Sequence, residues 1–493
     1  MLTRRRFLDL GAGALLAAGA IPPARATTRS WLNDVHSGLN LTPVRGVHCP
    51  GSLAQLQAVV RDAGRAGHAL SIAGARHAMG GQQFLTDGWA VDMAAMNRVL
   101  AFDPRAGLVE CEAGIQWPEL MDHLERAQAG HWPQWGIAQK QTGADRLSLG
   151  GALAANVHGR GLAMRPFIDD VASFVLIDAA GEARRCSRTK NADLFRLAIG
   201  GYGLFGVIAS VTLKLSRRRK LERVVEIIGA DELIGAFEER IAAGFLYGDF
   251  QFSTDQDSDT FLNRGVFSCY RPVADDVPMP AAQQELGEEN WAGLLYYGHT
   301  DRRRAYELYT RYYLSTSGQI YWSDSHQRST YLDGYHREID RRMGTGDAAS
   351  EMITEIYVPR TGLASFLDHV RDDFRRHRVE LIYGTIRLIE RDDESFLACA
   401  RQPWACIIFN LHVAHTEAGV RKAAADFRRL IERAIEWGGS YYLTYHRFAE
   451  RRQVEACYPQ FTEFLRLKRE HDPDERFQSD WYRHYRAMFA DLL

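Results

Sequence analysis

The chain has 493 residues, of which 46% are apolar and 25% are charged, and its formal net charge is -2. This length exceeds what one ordinary hydrophobic core serves, so we expect two domains, or one domain with a large insertion. The near-neutral charge excludes a nucleic-acid-binding surface as the main function, because acidic residues lie close to the arginine clusters.

The N-terminus has the features of an export signal. Residues 1–26 contain three arginines at positions 4–6, a segment of small apolar residues, and an A-x-A-like end at 24–26. This pattern predicts a twin-arginine signal peptide, the twin-arginine export machinery as a partner, and a periplasmic or otherwise exported protein. The apolar segment is too short for a permanent membrane span, although an N-terminal anchor helix is the alternative interpretation. Because this route carries folded proteins, we expect a tightly held prosthetic group.

Residues 42–217 form a dense region of alternating helices and strands. Apolar spacing and turn residues predict these elements in chain order: a helix over 53–66, strands over 69–73, 89–93, 99–102 and 108–111, a helix over 117–127, a hairpin of 171–177 with 183–186, a helix over 193–198 and a strand over 207–215. From residue 218 the composition changes.

Residues 218–440 lack glycine-rich loops like those of the first region. The pattern predicts helices over 303–314, 363–376 and 418–437, and strands over 355–358, 379–383 and 405–413. We therefore expect a second α+β domain with an antiparallel sheet. The last segment, 441–493, is rich in aromatic residues, arginine and histidine. The predicted fold class is α+β.

The seven cysteines form no C-x-x-C motif and are odd in number. A disulfide framework or a structural zinc site is therefore not expected, and the sequence predicts no metal site.

Three glycine-rich segments lie at 74–81, 141–161 and 200–206. The third contains G-x-G-x-x-G, but the predicted order is helix, glycines, strand, which is the reverse of a Rossmann nucleotide site. The first two segments can form nests of backbone N–H groups, and two adjacent nests would bind the pyrophosphate of a dinucleotide. Tight turns between strands are the alternative interpretation.

These segments resemble the vanillyl-alcohol-oxidase flavoproteins, which have a PCMH-type FAD-binding domain. SIAGARHAMGGQ is similar to their first FAD loop, QTGADRLSLGGALAANVHGRG to the second, and GGYGLFGVIASVTLKL to the third element. HDPDERFQSDWY resembles their terminal D-P-x-x-x-F segment. The alditol and aldonolactone oxidase branch is the most similar. The resemblance implies FAD as cofactor, and a two-part FAD-binding domain made of 42–217 and the returning segment 441–493. It also implies a substrate (cap) domain over 218–440.

The resemblance also assigns FAD-binding positions. They are Gly74, Ala75, Arg76, His77, Ala78, Gly80, Gly81, Thr142, Gly143, Ser148, Gly150, Gly151, Asn156, His158, Gly159, Gly161, Gly206 and Val207.

In many members of that family the histidine at the position of His77 is bonded covalently to the flavin 8α-methyl carbon. A neutral imidazole is a nucleophile near pH 7, so the resemblance implies the same tether here. The loop departs from the family pattern at Ala73, Arg76 and Ala78. A histidine that only hydrogen-bonds the flavin or the loop is the alternative. No cysteine between 112 and 185 is available for a second tether.

Catalytic side chains are expected from the second domain and the last segment. Tyr383 and Arg387 share one face of a strand, and the stretch resembles the E-x-R motif of alditol oxidases with Thr385 in place of the glutamate. His412 alternates likewise on the next strand. Tyr445 and His446 fall where relatives carry a lysine motif. We assign His446 as the general base. A salt bridge for Arg387 and a structural role for His412 are the alternatives.

The sequence thus predicts an exported FAD-dependent enzyme that oxidises a CH–OH group of a sugar, polyol or related small alcohol. Hydride would pass to flavin N5, and oxygen or a respiratory carrier would accept the electrons. Two alternatives remain open. One is a flavoenzyme acting on a lipid-linked or amine substrate, and the other is a non-catalytic flavin-binding protein.

Overall fold

The computed structural model describes residues 30–493. The predicted signal peptide, 1–26, lies outside the described residues. Within 30–493, none of the helices combines the length and the apolar character that a membrane crossing requires.

The first part of the described chain forms a small parallel sheet covered by a helix. Its elements are β1 (Ser30–Leu32), β2 (Thr42–Val44), β3 (Gly46–His48), α1 (Leu53–Arg65), β4 (Leu70–Ala73) and β5 (Trp89–Asp92). The parallel order is β3-β5-β4, and β1 pairs with β2 in a separate ribbon. Helix α1 begins where the Ser52 side chain accepts a hydrogen bond from the Gln55 amide, and it buries Leu56, Val60 and Ala63.

A five-stranded antiparallel sheet follows. The elements of this region are β6 (Val99–Asp103), β7 (Leu108–Glu112), α2 (Trp117–Ala127), β8 (Trp135–Gly136), α3 (Leu149–Ala155), β9 (Val171–Ile177), β10 (Ala183–Ser187), α4 (Ala192–Ala198), β11 (Val207–Lys214) and β12 (Ser216–Arg217). The sheet order is β10-β9-β11-β7-β6, and β12 pairs with β8. Trp117, Leu120 and Leu124 of α2 pack into the core beneath this sheet.

The central region is built on an eight-stranded sheet. Its elements are β13 (Lys220–Gly229), α5 (Leu233–Ala242), β14 (Tyr247–Phe252), β15 (Arg264–Pro272), α6 (Glu288–Thr300), α7 (Arg302–Ser315), β16 (Ile320–Trp322), α8 (Tyr335–Met343), β17 (Ala349–Pro359), α9 (Leu363–His377), β18 (Leu381–Ile389), β19 (Trp404–Ala414), α10 (Glu417–Glu436) and β20 (Ser440–Tyr441). The order is β16-β13-β15-β14-β18-β19-β17-β20, and all the pairings are antiparallel. The predicted α+β class and the antiparallel sheet of the second region are confirmed.

The two faces of the eight-stranded sheet have different neighbours. In β17, Ile356 and Val358 belong to the same buried cluster as Phe366 of α9 and Phe427 of α10. Because successive side chains of a strand point to opposite faces, Glu355 faces away from those helices. One face of the sheet therefore packs on α9 and α10, and the other, which α6 and α8 cover in part, forms the wall of a site.

The last segment returns to the small parallel sheet. It contains α11 (Arg451–Cys457), α12 (Phe461–His471) and α13 (Asp480–Met488). The Leu70 amide donates to the Arg476 carbonyl at 2.6 Å, and the Gln478 amide donates to the Leu70 carbonyl at 2.8 Å. The Thr86 hydroxyl donates to Asp480 at 2.8 Å. These bonds fasten residues 476–480 beside strand β4.

Candidate active site

A cavity of about 850 Å³ lies between the glycine-rich segments and one face of the eight-stranded sheet. Five of the predicted residues line it from the first glycine-rich segment, which follows β4: Gly74, Ala75, Arg76, His77 and Ala78. From the second segment come Thr142, Gly143, Ser148, Gly151 and His158. Tyr383, Arg387 and Tyr445 line it from the other side. The structure thus brings together thirteen of the residues that the sequence singles out.

The first two glycine-rich segments touch each other directly. A Cβ atom at Gly74 would lie 2.0 Å from the Ser148 hydroxyl, so only glycine allows this approach. Arg76 has φ 61°, in the left-handed region, which explains why the related family has glycine at this position. Gly143 has φ 92°. The segments therefore present bare backbone to the cavity.

The second segment is partly helical, which the sequence did not predict. Ser148 caps α3, and its hydroxyl accepts from the Gly151 amide at 3.3 Å. A Cβ atom at Gly150 would lie 2.8 Å from the Ala113 Cβ, so this glycine serves helix packing and does not line the cavity. The sequence does not indicate this seven-residue helix, because two of its residues are glycines and glycine has a low helix propensity.

Other residues assigned to the FAD loops lie outside the cavity. Asn156 donates to Asp392 at 2.8 Å and accepts from the Ile168 amide, which fixes the loop after α3. Gly206 has φ 144° and passes close to Ile177, which pairs with Val207. The residues that do not line the cavity are Gly80, Gly81, Gly150, Asn156, Gly159, Gly161, Gly206 and Val207. We interpret their role as shaping the loops.

His77 lies in the cavity wall beside Tyr331, with ring centroids 5.5 Å apart. Burial lowers the pKa of His77 below 6.5, although Asp333 and Asp34 partly oppose the shift. The imidazole is therefore neutral, and nucleophilic, at neutral pH.

The sheet wall is a row of side chains from three neighbouring strands. Tyr383 and Arg387 come from β18, Ile408 and Asn410 from β19, and Ile353 and Glu355 from β17. Thr385 does not line the cavity, because its hydroxyl is buried and donates to the Phe250 carbonyl at 3.1 Å. The predicted alternative of a salt bridge from Arg387 is not observed: Glu390 pairs with Arg360 at 2.7 Å, and Asp392 holds Asn156.

Glu355 is the functional residue that sequence reasoning missed. Its carboxylate accepts from His158 Nε2 at 2.5 Å, from the Tyr357 hydroxyl at 2.6 Å and from the Tyr445 hydroxyl at 3.4 Å. Burial favours the protonated form, but His158, Tyr357 and Arg387 outweigh it and lower the pKa of Glu355 to about 2. A buried carboxylate is thus held ionised in the cavity wall.

The register of the strands explains where this carboxylate comes from. Thr385 pairs with Ile408, which in turn pairs with Glu355. Glu355 therefore stands in the same row as Thr385, two strands or about 10 Å away. A carboxylate thus stands on the cavity face of the sheet two strands away from the position where the E-x-R motif has glutamate, and only the strand pairing reveals it.

His446 and His412 are not brought to the cavity. His446 stacks on Phe427 at 4.5 Å, and its Nε2 bonds the Thr354 hydroxyl at 3.1 Å, on the helix-covered face of the sheet. Burial lowers the pKa of His446 to about 3. This placement is unsuitable for a general base that must reach a substrate. His412 instead contacts Glu351 at 3.3 Å, outside the residues that line the cavity.

Several buried polar atoms at the cavity have no hydrogen-bond partner among residues 30–493. They include Gln141 Nε2, Thr142 Oγ1, Arg160 Nε, Arg387 Nε and Asn410 Oδ1. Buried polar groups are normally paired, so a polar ligand would complete their bonding. These atoms, with the bare backbone of the glycine loops, fit a dinucleotide flavin and a polar substrate beside it.

Comparisons with known proteins agree with this geometry. A family model described as an FAD binding domain matches residues 44–187. The chain is 25% identical over 455 residues to the L-gulono-1,4-lactone dehydrogenase of Mycobacterium tuberculosis, covering 88% of this chain and 94% of the relative. It is 22% identical over 448 residues to the decaprenylphosphoryl-beta-D-ribose oxidase of Mycolicibacterium smegmatis, covering 88% and 92%. It is 33% identical over 144 residues to the mitochondrial L-galactono-1,4-lactone dehydrogenase 1 of Oryza sativa subsp. japonica, covering 29% and 23%.

Proposed function

Because the chain belongs to the FAD-linked oxidoreductases with a PCMH-type FAD-binding domain, we propose that it oxidises a CH–OH group of a sugar lactone or a closely related sugar-derived alcohol. It is an enzyme, and FAD is its cofactor. Support for the substrate class comes from the lactone dehydrogenase that resembles 88% of this chain. The polar wall of the cavity, with Glu355, Arg387 and Asn410, suits a substrate rich in hydroxyl groups.

The glycine loops at 74–78 and 142–151 are the backbone that would hold the FAD. When bound, FAD supplies a two-electron acceptor that takes hydride from a carbinol carbon. We propose further that His77 tethers the flavin covalently, which its neutral, half-buried imidazole supports.

The pair of Glu355 and Arg387 carries the proposal. The Glu355 carboxylate is ionised and is positioned by His158, Tyr357 and Tyr445, so it can accept the proton of a substrate hydroxyl group. Arg387 has a free Nε in the cavity wall and can donate to the oxygen as negative charge develops there. Loss of the proton from the hydroxyl oxygen and of a hydride from the carbon that carries it together give the carbonyl product.

The remaining parts of the proposal concern the setting of the enzyme. We propose that the protein leaves the cytoplasm by the twin-arginine route, on the basis of residues 1–26. Residues 42–217 and 441–493 would form the FAD-binding domain of the vanillyl-alcohol-oxidase type, and 218–440 the cap. Oxygen or a respiratory carrier would accept the electrons.

Anaerobic reduction tests this function. The purified yellow protein is mixed with aldono-1,4-lactones, alditols and aldoses, and the flavin absorbance is followed in a stopped-flow instrument. At least one lactone or related sugar alcohol should bleach the flavin. Glu355→Gln should retain flavin but slow the bleaching by about 10²–10⁴-fold, because the proton acceptor is lost.

Glu390→Gln is the matched control. Glu390 comes directly after the end of strand β18, but it pairs with Arg360 and does not line the cavity. This variant should react at the wild-type rate. Failure of every sugar-derived alcohol to bleach the wild-type flavin would contradict the proposed substrate class. An unchanged rate in Glu355→Gln would contradict the role of that residue.

A further inference from the structure

A second cluster of ionisable side chains lies outside the cavity. Glu351 stands four residues before Glu355 on β17, and its partner in the sheet register is His412 of β19. His299 reaches this carboxylate from α6, and His336 reaches it from α8. Four separate elements therefore converge on one buried glutamate.

The contacts are close and involve both carboxylate oxygens. His299 Nε2 lies 2.6 Å from Glu351 Oε1, and His412 Nδ1 lies 3.3 Å from the same oxygen. His336 Nδ1 lies 2.6 Å from Oε2, to which the Tyr335 hydroxyl also donates. The side chains of Glu351 and His299 are 1% and 2% exposed, so water cannot supply missing partners.

The other ring nitrogens show which atoms carry hydrogen. His299 Nδ1 lies 2.8 Å from the Leu295 carbonyl, and His336 Nε2 lies 3.1 Å from the His36 carbonyl. A carbonyl only accepts, so these two nitrogens carry the N–H group. A neutral imidazole has one N–H group, and its second nitrogen then has a lone pair. Both rings, when neutral, therefore place a nitrogen without hydrogen close to a carboxylate that also only accepts.

Such an arrangement requires positive charge between the nitrogens and the carboxylate. Two additional protons would supply it, but they would leave two imidazolium ions in a buried place. One divalent cation supplies the same charge at once. Histidine ligands of metals usually donate their second N–H group to a carbonyl or carboxylate, which is the arrangement of His299.

We propose that His299 Nε2, His412 Nδ1 and Glu351 Oε1 bind one divalent transition-metal ion of the Zn²⁺ type. The three atoms all lie within 4.8 Å of one another, so small side-chain movements bring each to the bond length of about 2.0–2.2 Å that Zn²⁺ requires. Two imidazoles and a carboxylate suit Zn²⁺ better than Ca²⁺ or Mg²⁺, which prefer oxygen ligands. His336 then holds the second carboxylate oxygen and is a positioning residue.

The ion would fasten two helices above the cavity to the sheet. Trp291 and Leu295 of α6 and Tyr335 of α8 line the cavity, while His299 and His336 stand on the same two helices. The metal would thus fix the roof of the cavity without touching the groups that react. This inference does not depend on which alcohol the enzyme oxidises.

Metal analysis of the flavin-loaded, untagged protein tests the site. The protein is dialysed against EDTA, loaded with ZnCl₂, separated from free metal and analysed by mass spectrometry. We expect one tightly held Zn²⁺ per chain, a raised Tm on loading, and in Co²⁺-loaded protein the visible bands of a low-coordinate site. His299→Gln and Glu351→Gln should each lose the bound metal and the metal-dependent rise in Tm.

His369→Gln is the matched control. His369 also bonds the carbonyl four residues before it, Ser365, at 2.8 Å, but it lies exposed on α9 and forms no ion pair within residues 30–493. This variant should bind Zn²⁺ like the wild type. If Glu351→Gln does not fold, His412→Asn replaces it, because His412 is the most exposed of the three ligands. A wild-type protein that takes up no Zn²⁺, or variants that take up as much as the wild type, would overturn the proposal in favour of two buried protons.

Discussion

Glu355 illustrates how the pairing of strands can bring a carboxylate to a site at a position that the sequence motif does not indicate. The sequence shows a threonine at position 385, where the similar E-x-R motif has glutamate, and indicates no carboxylate to replace it. The strand register shows Glu355 in the same row, held by His158 and Tyr445. No spacing along the chain connects 355 with 387, so only the pairing of three strands could reveal this pair.

The other predicted catalytic residues differ in whether the structure places them at the cavity. Tyr383, Arg387 and Tyr445 follow from strand alternation and resemblance, and all three line the cavity. His446 follows from resemblance alone, and its ring is on the opposite face of the sheet, against Phe427. Tyr445 and His446 lie beyond the end of strand β20 at Tyr441, so strand alternation could not decide which face either side chain reaches.

The proposed tether on His77 gives a prediction at the scale of one residue. His77→Ala should release all flavin from the denatured protein, because no other nucleophile of the loop can form the bond. In-gel flavin fluorescence under ultraviolet light measures this after denaturing electrophoresis. Arg76→Gly is the control: position 76 has φ 61°, which glycine adopts freely, so the loop and the fluorescent band should persist. A fluorescent His77→Ala band would refute the tether.

At the scale of elements, the sequence pattern predicts best where apolar spacing and turn residues are clear. The helices at 53–66 and 117–127 and the hairpin of 171–177 with 183–186 are observed with shifts of one residue or less, because each has clear apolar spacing and turn residues. The sequence pattern does not predict helices α3, α5, α6, α8, α11, α12 and α13. Helix α3 is short and contains two glycines, and helix α6 has mixed faces with only Gly298 fully buried. The metal proposal depends on α6 and α8, so sequence spacing could not have suggested it.

Because the first two glycine-rich segments touch at Gly74, adding one methyl group there should weaken FAD binding. Gly74→Ala should force the segments apart, because the new Cβ would lie 2.0 Å from the Ser148 hydroxyl. An overpacked site costs about 1–3 kcal/mol, equivalent to about a 5- to 150-fold loss of FAD affinity. The titration is done in the His77→Ala background, where the flavin exchanges freely.

Gly235→Ala in α5 is the control for that experiment, since a Cβ atom there meets nothing within 4 Å. It should leave FAD affinity unchanged and slightly favour the helix. Equal affinities for Gly74→Ala and Gly235→Ala would show that the two segments do not close on the cofactor as described.

At the scale of the whole molecule, the last segment packs beside strand β4 and so joins the two ends of the described chain. A buried charge pair inside this segment shapes the turn that makes the contact. Lys468 and Asp472 are 0% and 1% exposed and form a short ion pair. Asp472 also accepts from the Arg476 and Phe477 amides at 2.8 Å. The carboxylate therefore shapes the turn that delivers residues 476–480 to β4.

Lys468→Met should lower the Tm clearly, because it leaves a buried carboxylate without its partner, at a cost of about 3–5 kcal/mol. Lys422→Met is the matched control, since Lys422 also pairs with an aspartate four residues on, Asp426, but is 49% exposed. The control should cost less than about 1 kcal/mol. Thermal unfolding of both variants measures the difference, and equal Tm values would contradict the structural role of the buried pair.

The bond between Leu70 and residues 476–478 has a consequence for the order of biosynthesis. Strand β4 leads directly into Gly74. The loop that would hold the flavin is therefore supported by residues 476–478, which are synthesised some 400 residues later. Almost the whole polypeptide must therefore be synthesised before this loop gains its support. Flavin capture is then a late, post-translational event, and a truncated product that stops short of residue 476 would emerge colourless.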